Sequence, residues 1–277
     1  MNEIYVKKAD GVSELFKGEK LKRSLVNAGA TKSEISSILL DIEREIYDGI
    51  TTEIIYRRAF ELLRELPQPA AARYSLRRAL FGLGPTGFPF EDYLAELYKH
   101  EGYKTKTRTV VKGNCGIHEL DIIAWRPDDC LTVEAKFHQQ PGTKTDMQVA
   151  LYSYARFLDL KDKTAHKTDT CGMKRTAVIT NTKFTSAAIQ YASCVGMELI
   201  SWDYPKNKSL QGWIERTKLY PVTVLASLKT REKIDLMSKG AILCKQIVDN
   251  HELLLSAGVT KPRIRAVLEE GAKLCTI

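Results

Sequence analysis

Asp121, Glu134 and Lys136 are the residues of this chain whose types and spacing point most directly to chemistry. They lie in the stretch GIHELDIIAWRPDDCLTVEAKFHQ, from Gly116 to Gln139. Two carboxylates and an ammonium brought together make a hard oxygen site with a compensating charge beside it. Carboxylates in an apolar β context are costly unless they are paired or bind a metal. Holding Mg2+ or Mn2+, such a site would orient a water and neutralise negative charge developing on an electrophile. The bland alternative is a half-exposed hairpin whose polar face simply meets water, because D-x(n)-E-x-K is a loose pattern.

Positioning them requires a hairpin. Two apolar runs, Leu120 to Trp125 and Leu131 to Phe137, flank a turn of Arg126, Pro127, Asp128 and Asp129, the composition of two strands around a Pro-Asp turn. Period-2 alternation places Glu119, Asp121 and Ile123 on one face of the first strand. On the second, Glu134 and Lys136 share a face and Val133, Ala135 and Phe137 take the other. Asp121 leads into Ile-Ile-Ala-Trp and Glu134 follows Leu-Thr-Val, as expected of strands entering a core.

The flanking sequence predicts the rest of an α/β domain. Phe90, Leu94, Leu97 and Tyr98 recur at helical spacing, with Glu91 just after Pro89, where the helix dipole favours an acid in any case. A strand is expected over 103–111, a helix over 145–160, a strand over 176–180, a helix over 185–192 and a last strand over 197–202. Gln148 and Tyr152 fall one turn apart on one helix. The order α-β-β-β-α-β-α-β is that of a three-layer sheet with helices on both faces. The Lys-, His- and Thr-rich stretch 161–172 reads as a polar loop, a candidate DNA track or ordinary solvated surface. His118 and His138 flank the acids and could hold the hairpin, touch phosphate or ligate a metal.

Residues 86–204 resemble the restriction-endonuclease-like, or PD-(D/E)xK, superfamily in its Mrr-like branch. The resemblance rests on Phe90-Glu91, Gly102-Tyr103, His-Glu-Leu-Asp at 118–121, Val-Glu-Ala-Lys at 133–136, Gln148 with Tyr152, and ITNTKFTSAAIQYA followed by GMELISWD. It implies a Mg2+- or Mn2+-dependent endodeoxyribonuclease. Asp121, Glu134 and the Ala135 carbonyl would hold the metal, and Lys136 would orient the attacking water and offset charge. Glu91 and Gln148 would be further catalytic residues. The chain departs from the usual Gly-x-Asp in carrying Glu119 two residues before Asp121, which makes Glu119 a candidate additional metal ligand. Two other readings stay open: a nucleotide-sensing DNA-binding protein with an inactive nuclease fold, and a ribonuclease or repair and junction nuclease.

Residues 1–66 read as a small module, a short hairpin at Ile4-Tyr5-Val6 and Asp10-Gly11 followed by three or four helices. Thr31 and Glu34 form a capping box on a helix whose apolar face runs from Ile35 through Ile46, and Pro67 and Pro69 close the module. VKKADGVSELFKGEKLKRSLVNAGA resembles the opening of the ATP-cone domain. That family implies ATP or dATP between hairpin and helices, with Lys8 and Lys20 on phosphates and the backbone near Val6 against the nucleotide. Ala9 stands where many members carry Arg. ATP hydrolysis is not expected, since there is no GxxxxGK[ST] loop. Residues 67–86 form a connector with a short basic helix over 71–81, 87–205 the α/β domain, and 206–277 a helical region in which 210–218 reads as a weak helix or loop. Within that last region GVTKPRIRAVLEEGAKL faintly resembles a helix-hairpin-helix element.

The bulk properties agree with a globular chain of several modest domains: 277 residues, 44% hydrophobic, 27% charged, with a formal charge of +8 and pI near 9.0. A basic balance favours a polyanionic partner such as nucleic acid. Six cysteines without zinc spacing are expected to be reduced thiols. The polar N-terminus predicts no signal peptide, and no apolar run reaches 18 residues, so a cytoplasmic setting is expected. A double-strand cut would call for a homodimer or higher homo-oligomer.

Overall fold

The computed structural model describes residues 4–8, 11–28, 30–64, 74–161 and 172–275. The chain divides into two compact units. One gathers Met1–Ala79, Val222–Leu236 and Cys244–Ile277, and the other gathers Leu80–Pro221 and Met237–Leu243.

In the first unit, β1 (Tyr5–Lys7) pairs antiparallel with β2 (Ser13–Leu15), Tyr5 opposite Leu15. Helices α1 (Gly18–Asn27), α2 (Lys32–Glu45) and α3 (Thr52–Arg64) follow. The predicted capping box is present: Thr31 Oγ1 accepts from Glu34 N, and Glu34 Oε2 accepts from Thr31 N at 2.6 Å. Helical spacing turns Leu21, Leu25, Ile38, Ile42, Ala59 and Leu63 inward onto Val6. Sequence periodicity carried the second helix through Ile46. It ends at Glu45, with Ile46 extended, and Gly49 at φ +82° lies in the return turn, its N–H donating to Tyr5 O at 2.8 Å. Ala9, residues 67–73 of the expected connector and 162–171 of the expected polar loop lie outside the described residues, and α4 covers Leu76–Phe81.

The second unit is built on a five-stranded mixed sheet ordered β3-β4-β5-β7-β9. Its strands are β3 (Lys104–Lys112), β4 (Ile117–Arg126), β5 (Asp129–Lys136), β7 (Arg175–Thr180) and β9 (Glu198–Ile200). The first three form an antiparallel meander and the last three run parallel. Helices α5 (Phe88–His100), α6 (Met147–Leu160) and α7 (Ser186–Val195) flank it. Helix α5 packs on β3, β4 and β5, with Phe90 against Phe137 at 5.7 Å between ring centres. Helices α6 and α7 enclose a core with Val178 and Leu199. The predicted order is thus the observed one, with one addition. A two-stranded parallel pair, β6 (Lys144–Thr145) with β8 (Lys183–Phe184), ties the approach to α6 to the end of β7.

Residues 210–218 were expected as a weak helix or loop. They form a capped helix, α8 (Leu210–Thr217), started by Ser209 and closed by Lys218 at φ +58°. Trp213 Nε1 donates to Glu101 at 2.9 Å, and the buried Tyr93 hydroxyl donates to Leu219 O at 2.7 Å. Further on, α9 (Thr230–Ser238), α10 (Cys244–Asp249), α11 (Glu252–Ser256) and α12 (Lys261–Cys275) follow. Helix α12 approaches α10 closely at Gly271, where a Cβ would lie 2.8 Å from Val248 Cγ2. No helix among the described residues is long and apolar enough to cross a membrane.

Candidate active site

Strand pairing sets the geometry. The β4–β5 ladder runs from Arg126↔Asp129 to Ile122↔Val133, so one further step puts Asp121 opposite Glu134, side chains on a shared face. The ladder stops there because Asp121 takes over a backbone partner: its Oδ2 accepts from Ala135 N at 2.8 Å. In an extended strand the N–H and C=O of one residue point to the same side. The Ala135 carbonyl is thereby aimed beside the Asp121 carboxylate, beyond the last β4–β5 pair.

Burial raises the Asp121 pKa to about 7, and the Glu134 charge adds to the rise, while the bond from Ala135 N opposes it. Such an environment disfavours a bare carboxylate and favours one compensated by a proton or a cation. Glu134 is held at both oxygens. Tyr152 donates to Oε1 at 2.5 Å and Arg156 Nη1 to Oε2 at 2.8 Å. A carboxylate offers about four lone-pair sites, so both contacts leave room for a cation. Burial, then the bond to Glu134, push the Tyr152 phenol up, which keeps it a donor.

Lys136 lies two residues beyond Glu134, half-buried, opposite Thr180 of β7. Its ammonium has no ion-pair partner among the described residues, and its charge helps burial to hold His138 below the usual imidazole range. His138 is a packing residue here: Nε2 meets Thr145 Oγ1 at 2.9 Å and the backbone N–H donates to Asn181 Oδ1. His118 likewise turns from the acids to Asp159, Nε2 to Oδ2 at 2.6 Å.

Glu91 is buried on α5, 7% exposed. Burial raises its pKa, and Arg108 pulls it back. The Glu91 charge acts on Asp121 and the Glu119 charge on Glu91. Glu119 itself is exposed, past the end of the β4–β5 ladder and paired only with Val110 of β3. Alternation along one strand placed it with Asp121. The β4–β5 ladder ends at Ile122↔Val133, so Glu119 has no β5 partner across from it. Among the described residues no group of three or more His, Cys, Asp or Glu is placed to share one cation. Gln148 is exposed in the first turn of α6, its N–H donating to the N-cap Asp146 at 3.0 Å.

Two arginines at the site escape a reading by motif. Arg156 continues the Gln148–Tyr152 spacing by one more turn, a signal present in the sequence. Arg108 carries none. Its neighbours pair as Thr107↔Ile122 and Thr109↔Leu120, so it stands opposite Asp121, yet its φ is +48°, a conformation costing a side-chain-bearing residue about 1–3 kcal/mol. The offsetting contacts are Glu91 Oε2 at 3.1 Å, Asp92 Oδ1 at 2.7 Å and the Phe88 ring at 5.4 Å. The three acids Glu91, Asp121 and Glu134 are therefore flanked by a guanidinium at each end.

In the first unit, Val6 and Lys20 line a cavity of about 210 Å3 together with Tyr56 and Tyr74, whose rings stack at 4.9 Å. Glu14 accepts from Lys8 at 2.7 Å and Lys20 at 2.8 Å, and these two ammonium groups hold its carboxyl below the usual range. The two lysines expected on phosphate converge on one point, presently a carboxylate.

Comparison with known families gives three consecutive matches. Residues 4–80 match the ATP cone domain, residues 85–204 the restriction endonuclease domain, and residues 220–275 the AF1548-like C-terminal domain. The last covers the helices in which a helix-hairpin-helix likeness was expected. An uncharacterized protein of Archaeoglobus fulgidus is 35% identical over 183 residues, 65% of this chain and 99% of the relative. The crystal structure of AF1548, a protein of unknown function, superposes with a TM-score of 0.57 at 32% identity, covering 69% of this chain and 98% of that one.

Proposed function

The chain belongs to the AF1548-like family, with an ATP cone domain ahead of a restriction-endonuclease-like domain of the PD-(D/E)xK class, and from that membership we propose that it is a metal-dependent endodeoxyribonuclease. The observation that carries the reading is Asp121 opposite Glu134, its pKa raised by burial and by that neighbour, beside the Ala135 backbone. Asp121, Glu134 and the Ala135 carbonyl would hold Mg2+ or Mn2+, an all-oxygen set suited to either. A bound cation supplies charge neutralisation at the phosphate and lowers the pKa of a coordinated water. Lys136, on the same face as Glu134, orients the attacking water and offsets charge as the phosphorane-like state develops. Tyr152 and Arg156 fix both oxygens of Glu134. Glu91 adds negative potential at Asp121 under the control of Arg108, and Gln148, one turn before Tyr152, faces the approaching strand.

ATP or dATP acts in this reading as an effector, bound through Lys8, Lys20 and the backbone at Val6. It would shift an equilibrium by binding one state better than the other. Each centre cuts one strand, so double-strand cleavage takes two copies of the chain.

The direct test is supercoiled plasmid with protein and Mg2+, with and without ATP or dATP, beside Glu134→Gln. Nicking or linearisation by the wild type and none by the variant supports the reading. Equal cleavage by both, or RNA cut in preference to DNA, refutes it.

A further inference from the structure

An open cleft of about 760 Å3 lies beside the paired carboxylates, between the turn at 114–116 with His118 and the α6 residues Tyr152, Ala155, Arg156, Leu158 and Asp159. Its turn is rigidly built. Asp159 accepts from Cys115 N at 2.7 Å, Gly116 N at 3.1 Å and His118 Nε2 at 2.6 Å, so the one acid in the wall has its charge covered by three donors. Gly113 is required there, since a Cβ would fall 1.9 Å from Asp159 Oδ2.

Arg156 belongs to both the cleft and the carboxylate pair. Nη1 donates to Glu134, while the remaining N–H groups of its five-donor fork have no other partner among the described residues. Its side chain is 25% exposed, and the guanidinium lies over the Tyr152 ring at 5.4 Å. The edge directed away from Glu134 is a planar pair of donors, the geometry that matches a phosphate. Ala155 and Leu158 supply apolar surface alongside, Leu158 being 49% exposed.

We propose that Arg156 is shared: one edge fixes Glu134, and the other takes a non-scissile phosphate of a DNA strand lying in this cleft, with Leu158 against the adjacent sugar. The placement of the strand rests on the nuclease reading above. The phosphate contact itself is measurable without cleavage.

The experiment is fluorescence anisotropy of a labelled 20-base-pair duplex over a KCl series, without divalent cation. Each phosphate contact contributes about 0.9 to the slope of log K against log salt. Arg156→Ala is expected to flatten the slope by about that amount, and Arg156→Lys to keep it. Arg44→Ala, the same charge removed from an exposed position of the first unit, is expected to leave it unchanged. Leu158→Glu, a surface change that leaves the Glu134 contacts in place, should weaken binding at least tenfold by setting a like charge beside the phosphate. An unchanged slope in Arg156→Ala, an equal loss in Arg44→Ala, normal affinity in Leu158→Glu, or no binding by the wild type would each overturn the assignment. Binding with the expected slopes but no cleavage in Mg2+ would refute the nuclease reading and leave the phosphate contact standing.

Discussion

Replacing Asp121 with Asn should stabilise the metal-free protein at alkaline pH and abolish its response to Mg2+. Asp121 sits partly buried opposite Glu134 with its pKa raised to about 7 from 3.8. The folded state therefore holds a proton that the unfolded chain has lost. The stability tied to that proton is fully present below about pH 3.8 and lost as pH rises through about 7. A rise of about 3 units at about 1.4 kcal/mol each sets a ceiling of about 4 kcal/mol. Asn carries no charge to desolvate, and its carbonyl still accepts from Ala135 N. Urea unfolding of wild type and Asp121→Asn at pH 5 and pH 8 reads this directly. The variant should be more stable by about 2 kcal/mol at pH 5, about 1.2 pH units above the unfolded-chain value, and by up to about 4 kcal/mol at pH 8. Adding Mg2+ at pH 8 should raise the wild-type midpoint by linkage and leave the variant unmoved. Below pH 7 the apparent Mg2+ affinity should fall about tenfold per pH unit, one proton being displaced per cation. A variant no more stable than wild type at pH 8 would refute the account of Asp121 as a carboxylate destabilised by burial and by Glu134.

Arg108→Ala leaves Glu91 buried without its guanidinium and should cost about 3–5 kcal/mol in chemical unfolding, while Arg108→Ala/Glu91→Gln should recover much of that. Gly113→Ala drives a methyl into Asp159 and breaks up the turn held by Cys115, Gly116 and His118. A loss of at least about 2 kcal/mol is expected in chemical unfolding. Glu14→Gln removes the carboxylate that occupies Lys8 and Lys20 and should tighten ATP or dATP binding about two- to fivefold by calorimetry, in line with the weak coupling of exposed ion pairs.

The elements that build the domain were legible because their signals are local. Period-2 alternation around Pro127-Asp128 set the hairpin register, and the observed ladder, Arg126↔Asp129 through Ile122↔Val133, is the one a two-residue turn dictates. Thr31 with Glu34 capped a helix as its spacing demanded. Helical periodicity overran at Ile46 because a residue that packs under a core looks the same whether helical or extended. Ser209 and Lys218 end a helix that sequence left weak, since its stability comes from Trp213 and Leu210 buried against distant parts of the unit.

Residue types and spacing along the chain were enough to put Asp121, Glu134 and Lys136 on one hairpin, while the ATP cone ahead of it was legible through its resemblance to a known family. Pairing distances within a tight hairpin leave no freedom for anything else. Which charges compensate those acids was decided only in three dimensions. Arg156 reaches Glu134 across 22 positions and Arg108 reaches Glu91 across 17, the latter through a left-handed residue in mid-strand that no pattern announces. Glu119 shows the converse: alternation puts it beside Asp121, and past the end of the β4–β5 ladder it lies in solvent. Local periodicity determines the direction in which a side chain leaves its strand; what it meets there depends on where the neighbouring strand and helix have been packed.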